Sequence, residues 1–199
     1  VGSNAYMTNV FDCSNPADPH QTLAINGRLI VDMNLELQGM EILLGPNSEI
    51  VVKNGFLLKN NGPSQPQICN YLHGCDEYMW QGIILEGSTA NNDALQFKIM
   101  PVYIEDAKQA IRADNNAKFT VNNVLFNKNN VSMHVTPNGN LANNSTITNC
   151  KIQCNTWSSY TPQTCLQPYL GKRSYGGVKA NNILSMTIGD EFNLNNKNY

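Results

Sequence analysis

Short apolar runs bounded by Gly, Asn or Asp recur along this chain. Leu29-Ile30-Val31, Leu35-Glu36-Leu37, Ile42-Leu43-Leu44, Ile50-Val51-Val52 and Phe56-Leu57-Leu58 follow one another at short, regular intervals. Branched apolar pieces of this length between turn-forming residues predict strands. Arg28–Asp32 and Ser48–Val52 lie 20 residues apart, and Leu37 and Leu58 lie 21 apart. Gln109–Phe126 and Gly177–Leu194 each hold three such pieces with polar corners between them. A period of this size decides the architecture before anything else does. It predicts an all-β chain: a right-handed parallel β-helix, a single-stranded solenoid of about six coils.

Two breaks interrupt the pattern, and they are expected to be loop insertions at 61–78 and 155–175. In the first, Gly62-Pro63-Ser64-Gln65-Pro66 cannot continue a ladder, because proline has no amide hydrogen to donate. The repeat resumes at Met79–Gly87. It runs on through Val102–Ile104, Ala110-Ile111, Phe119–Val121, Val124–Phe126, Val131–Met133, Ser145–Ile147 and Cys150–Ile152. Residues 1–20 read as a lead-in rich in Pro and Asx turns, and residues 1–199 as one β-helix domain. No stretch sustains a helical period. Glu105–Ile111 comes nearest, but it is too short to be stable alone and reads as a coil corner. Asn195–Tyr199 ends where another coil is due. An uncapped coil is an open β edge, so the expectation is a piece of a longer array, or self-association through the open ends.

Composition sharpens this picture. Charged residues make up only 14 % of the chain, against roughly 25 % in an average domain. Asparagine, with 31 residues, fills the gap. It suits solenoid corners because it tolerates left-handed backbone and bonds neighbouring main chain. A formal charge of −2 gives no electrostatic case for nucleic acid. No apolar run is long enough to span a membrane.

Six cysteines, concentrated in the irregular segments, point to disulfides in a secreted or cell-surface protein. Cys69 and Cys75 bracket a short loop and form the expected pair. Cys13, Cys150, Cys154 and Cys165 allow three connectivities, and Cys154–Cys165 is the pairing taken here. A zinc site from Cys150, Cys154, Cys165 and His73 or His134 matches no compact knuckle spacing, so no metal or other cofactor is expected.

The string Cys75-Asp76-Glu77-Tyr78-Met79-Trp80-Gln81-Gly82-Ile83 resembles right-handed parallel β-helix proteins exported to the surface of Gram-negative gliding bacteria. Leu43–Val52 upstream and Ile104–Ile111 downstream are similar to the coils flanking that signature. The resemblance covers residues 25–135. It implies a long, modular secreted protein of the wider pectate-lyase-like superfamily and implies no settled activity.

That superfamily includes pectin-degrading lyases and hydrolases. Hydrolysis needs two carboxylates facing each other across the scissile bond. The adjacent acids are Asp76-Glu77, Glu105-Asp106 and Asp190-Glu191, and neighbours on a strand point to opposite faces. A lyase-like set of Asp106, Asp114 and Lys118 is not required by anything in the pattern. No catalytic residues are therefore assigned. His20, His73 and His134 read as surface or loop residues. Trp80, inside a strand run, reads as core. The binding candidates are Trp157, Tyr160, Tyr169 and Tyr175 with Lys172 and Arg173, on the second insertion. Aromatic faces stack on sugar rings, and loops on rigid scaffolds commonly carry binding. The alternative for these rings is to cover the solenoid flank. The expected role is a structural or adhesive module that binds a polysaccharide or cell-surface glycan without catalysis. The alternative is a polysaccharide-active enzyme with its site on one solenoid face.

Overall fold

A computed structural model describes residues 5–8, 22–61, 69–75, 78–87, 92–136, 142–153, 176–180, 183 and 185–189. Among the described residues the regular structure is all strand, and the strands fall into coils of three. The first coil holds β1 (Ala5–Thr8), β2 (Thr22–Ile25) and β3 (Arg28–Val31). The second holds β4 (Leu35–Gln38), β5 (Glu41–Leu44) and β6 (Glu49–Val52). The third holds β7 (Leu58–Asn60), β8 (Asn70–Gly74) and β9 (Gly82–Leu85). The fourth holds β10 (Leu95–Phe97), β11 (Val102–Glu105) and β12 (Gln109–Ala113). The fifth holds β13 (Phe119–Asn122), β14 (Val124–Asn127) and β15 (Val131–Val135). The sixth holds β16 (Thr146–Thr148), β17 (Lys151–Gln153) and β18 (Gly176–Ala180), and β19 (Thr187–Ile188) follows.

Every third strand pairs in parallel, which gives three sheets. Sheet I runs from β1 through β4, β7, β10, β13 and β16 to β19. Sheet II holds β2, β5, β8, β11, β14 and β17. Sheet III holds β3, β6, β9, β12, β15 and β18. This is a parallel β-helix of about six coils.

The register stacks like on like inside it. Leu23, Ile42, Leu72, Ile104, Phe126 and Ile152 form one inward column of sheet II. Leu29, Ile50, Ile83, Ile111, Met133 and Val178 form one of sheet III. Most of these side chains lie in one continuous core, with several fully buried. Each full burial of a Leu, Ile or Phe is worth about 1.5–3 kcal/mol.

The asparagines do the structural work expected of them at the corners. Six of the nine described non-glycine residues with positive φ are Asn. Others turn inward and bond the main chain of the next coil. Asn129 Nδ2 donates to the Ile104 carbonyl at 2.8 Å while its Oδ1 accepts the Ala107 amide at 2.9 Å. Asn60 likewise donates to the Met100 carbonyl and accepts the Lys98 amide. Ser48 Oγ donates to the Ile25 carbonyl and accepts the Gly27 amide.

The true register departs from the simple offsets. Arg28 faces Glu49, with which it forms an ion pair, one residue beyond the 20-residue spacing. Leu58 faces Leu35, and Leu37 faces Asn60. The reason is that Phe56 and Leu57 belong to a corner, so β7 begins at Leu58. Two strands fall in segments read as irregular, β1 within 1–20 and β8 within 61–78. β10 fits no apolar triplet.

The expected Cys69–Cys75 bond is corrected. Cys69 is disulfide-bonded, but Cys75 is a thiol. The two cysteines flank a strand instead of a loop. Six extended steps separate their Cα atoms by about 20 Å, far beyond the roughly 4.4–6.8 Å a disulfide spans. Cys150 is also a thiol, buried under Val121 and Thr148 carbonyls, and burial pushes its pKa up to about 11. Cys13, Cys154 and Cys165 lie outside the described residues, and so does the Cys154–Cys165 pairing.

The Met79–Ile83 signature has a clear mechanical role. Trp80 is fully buried, and its Nε1 donates to the Glu105 carbonyl at 2.7 Å. Gly82 has φ +118°, and a Cβ there would lie 1.6 Å from the Gln109 carbonyl oxygen. Gly82→Ala is therefore expected to cost about 3 kcal/mol or more. A chemical denaturation curve checks this; an unchanged midpoint would refute the close approach.

Candidate functional site

Two polar constellations stand out on the outward sides of the sheets, one at a cleft and one buried. The first is a cleft of about 210 Å3 at the corners that lead into sheet I. It is lined by Asn34, Gly55, Phe56, Leu57, Asn92, Asp93 and Gln96, contributed by successive coils. Its size is below the roughly 300–1,000 Å3 of a drug-sized pocket, so it suits one small ring. Phe56 is about a third exposed. Asn34 Oδ1 accepts the Leu57 amide at 3.1 Å, which fixes the corner.

Asp93 is the anchor of this cleft. Its Oδ2 accepts Gln96 Nε2 at 3.0 Å and Thr120 Oγ1 at 2.9 Å. Lys98 lies 3.6 Å from Oδ2 and Lys118 3.4 Å from Oδ1. One carboxylate is thus compensated by two lysines. Around it the outward column of sheet I, Glu36, Lys59, Gln96, Thr120 and Thr146, is polar throughout. Glu36 pairs with Lys59, whose hydrogen bond is the main reason its carboxyl sits below the usual range.

The second constellation lies on the outward side of sheet II and is buried. Glu41, Tyr71, His73, Glu105, Asp106, Asn127 and Lys128 are each no more than 8 % exposed. Their bonds run from coil to coil. Thr22 Oγ1 donates to Glu41 Oε2. His73 Nε2 lies 3.1 Å from Glu41 Oε1 and its Nδ1 3.2 Å from the Gly74 carbonyl. Both neighbours of the ring are acceptors, and the tautomer decides which of them takes the N–H of a neutral imidazole. Tyr71 stacks on His73 with centroids 4.1 Å apart. Tyr71 Oη donates to Glu105 Oε2 at 3.0 Å, and Asn127 Nδ2 donates to Glu105 Oε1 at 2.7 Å. Lys128 Nζ stands 3.8 Å from Glu105 Oε2.

Asp106 completes the group. It follows the last residue of β11 with φ 58°, so the strand alternation that should separate it from Glu105 no longer applies. Both carboxyls end up buried. Burial pushes the Asp106 carboxyl up to about 7; nearby Glu105 adds to this, and Lys128 and His73 oppose it. Its Oδ2 has no hydrogen-bond partner.

The sequence-predicted residues are distributed as follows. Trp157, Tyr160, Tyr169, Tyr175, Lys172 and Arg173 lie outside the described residues, as do the pairs Asp76-Glu77 and Asp190-Glu191 and His20. The lyase-like trio is not brought together: Asp106 sits between sheets II and III, Asp114 pairs with Arg112 at 2.9 Å, and Lys118 reaches Asp93. His73, read as a loop residue, is buried on β8, because the segment around it pairs with β5 and β11. His134 lies on β15 in register with Arg112 and Lys179; desolvation, then these two cations, lower its pKa. Among the described residues no group of three or more His, Cys, Asp or Glu is placed to hold a metal ion. No described helix is long and apolar enough to cross a membrane. Cleft and cluster were both missed from the sequence, because each gathers its residues from several coils.

No family model matches the chain, and no curated protein or solved structure matches it either.

The raised Asp106 carboxyl has a definite consequence for stability. A carboxyl with a folded pKa above its unfolded value favours folding when protonated, so its penalty grows as pH rises from about 4 to about 7. The displacement from 3.8 to about 7 bounds the effect at about 4 kcal/mol. The stability difference between the wild type and Asp106→Asn should shift in favour of Asn between pH 4.5 and 8. Denaturation at both pH values checks it, and a pH-independent difference would remove Asp106 as the cause.

Proposed function

We propose that this chain is a non-catalytic β-helix module of a secreted or cell-surface protein, and that it binds glycan at the Phe56–Asp93 cleft. The observation that carries the reading is the composition of that cleft. An aromatic ring, three side-chain amides and a charge-compensated carboxylate meet in a space suited to one ring. Sugars offer that pairing of requirements: apolar C–H faces for the aromatic surface and hydroxyls for amides and carboxylates. The surrounding column of Lys59, Gln96, Thr120 and Thr146 extends a flat polar track along the solenoid axis, which suits a polymer better than an isolated monosaccharide.

Export is supported by the disulfide at Cys69, since such bonds persist in oxidising compartments. The likeness of Cys75–Ile83 to surface proteins of gliding bacteria, within the pectate-lyase-like superfamily, supports placement at the cell surface. The aromatic set Trp157, Tyr160, Tyr169 and Tyr175 with Lys172 and Arg173 is proposed as a second contact region.

An enzyme reading needs two carboxylates with substrate between them. Asp93 is the single carboxylate lining the cleft. The acids of the sheet II cluster, Glu41, Glu105 and Asp106, are sealed from solvent, and Glu41 and Glu105 are bonded to their own neighbours.

A panel of neutral and acidic polysaccharides tests the proposal, with retention and chain cleavage scored together on the oxidised protein. Retention without cleavage is expected. Phe56→Ala or Asp93→Asn should weaken retention roughly tenfold, the scale of one aromatic or charge-assisted contact. Retention indifferent to both changes would remove the cleft from the binding site, and cleavage would overturn the non-catalytic reading.

A further inference from the structure

The buried cluster on sheet II holds a lysine in an unusual position. Lys128 is only 6 % exposed, and among the described residues the carboxylate oxygen within ion-pair distance of its Nζ is Glu105 Oε2, at 3.8 Å. A charge-assisted hydrogen bond to a carboxylate is about 2.7–2.9 Å long, so this ammonium is loosely paired. Burying two charges in such a pair is costly, because desolvation is repaid only by close geometry. An amine and a carboxyl held together in a buried site are the reactants of amide formation.

The rest of the cluster is arranged to help. Glu105 has a donor on each carboxyl oxygen, Tyr71 Oη at 3.0 Å and Asn127 Nδ2 at 2.7 Å. When the carboxyl carbon is attacked, the donor on one oxygen stabilises the developing oxyanion and the donor on the other assists the oxygen that leaves. Asp106 follows Glu105 in the chain and is 5 % exposed, with one carboxyl oxygen that no donor satisfies. An orphaned buried oxygen of this kind needs an explanation. The register supplies the proximity. Glu105 faces Asn127 on the next coil, and Lys128 follows Asn127 with φ 52°, turning the chain at the same corner as Asp106.

We propose that Lys128 Nζ and Glu105 Cδ condense into an amide that cross-links the fourth and fifth coils, with Asp106 relaying the protons. The nucleophile of the step is the lysine amine. Nζ attacks Cδ; Asn127 holds the oxyanion on Oε1, while Oε2, bonded to Tyr71, becomes the departing hydroxyl. Asp106 takes a proton from the nitrogen and returns it to the departing hydroxyl. The C–N bond forms, one C–O bond breaks, and a single water leaves. No oxidant, metal or further reactant is consumed.

The intact mass of the purified full chain, measured after reduction and denaturation, tests this. The wild type is expected to fall below its reduced sequence mass by one water. A protease digest is expected to yield a branched peptide that joins the Glu105 segment to the Lys128 segment. Lys128→Arg should restore the full mass, and Asp106→Asn should lower the cross-linked fraction at least tenfold. A wild-type mass with no water lost overturns the proposal. So does a branch at any carboxyl other than Glu105, or a water loss that persists in Lys128→Arg. If Lys128→Arg does not fold, the wild-type digest decides alone.

Discussion

Parallel pairing between successive coils is the constraint on which this structure depends. Among the described strands no coil contains a pair bonded to each other; each ladder bond goes to the coil above or below. A single coil therefore satisfies neither its backbone nor its apolar side chains, and stability belongs to the stack. The inward columns follow directly. Once Ile50 is set against Leu29 and Ile83, a one-residue slip on sheet III would turn the whole column outward. The corners then have to deliver each strand to the right height. Asn and Ser do this by bonding the main chain of the adjacent coil, as Asn129 does to both Ile104 and Ala107.

The same stacking creates the polar sites. Residues 20 to 40 positions apart in sequence become neighbours one strand spacing apart, about 4.8 Å. Glu41 meets His73, Tyr71 meets Glu105, and Asn127 meets Glu105 only because β5, β8, β11 and β14 are consecutive in sheet II. Likewise Asp93 is held by Thr120 from the next coil. A mutation that shifts one coil would dismantle contacts at several heights, so a site on such a scaffold is as rigid as the register itself.

Legibility in the sequence followed the density of aliphatic residues. Leu29–Val31, Ile42–Leu44 and Ile50–Val52 announced their strands because three branched residues stood together. β8 did not, since Asn70-Tyr71-Leu72-His73-Gly74 offers a single aliphatic residue, Leu72, to the interior. β10 was hidden for a similar reason, with Leu95 and Phe97 separated by Gln96. Counting offsets gave a period but not a register: the corner at Phe56-Leu57 absorbs residues that the arithmetic assigned to a strand. The acid pair Glu105-Asp106 was discounted by strand alternation, a rule that ends where β11 ends. Asp106 has left-handed backbone, and nothing in its neighbourhood of sequence announces that.

The two aspartates show how position on the stack sets the chemistry of one residue type. Asp93 borders the cleft with its side chain 5 % exposed, where Gln96 and Lys98 of its own coil meet Lys118 and Thr120 of the next. It is compensated and fixed, and it borders a cleft, the condition of a group that orients a ligand. Asp106 lies at a sealed corner, with a glutamate beside it and one oxygen without a donor. It is destabilised as a charge and gains from holding a proton. A carboxyl in that condition is suited to moving protons between buried neighbours, and the neighbours available are an amine and an acid. The open face of the solenoid thus has the attributes of recognition. The sealed one has those of internal chemistry that would fasten the coils together.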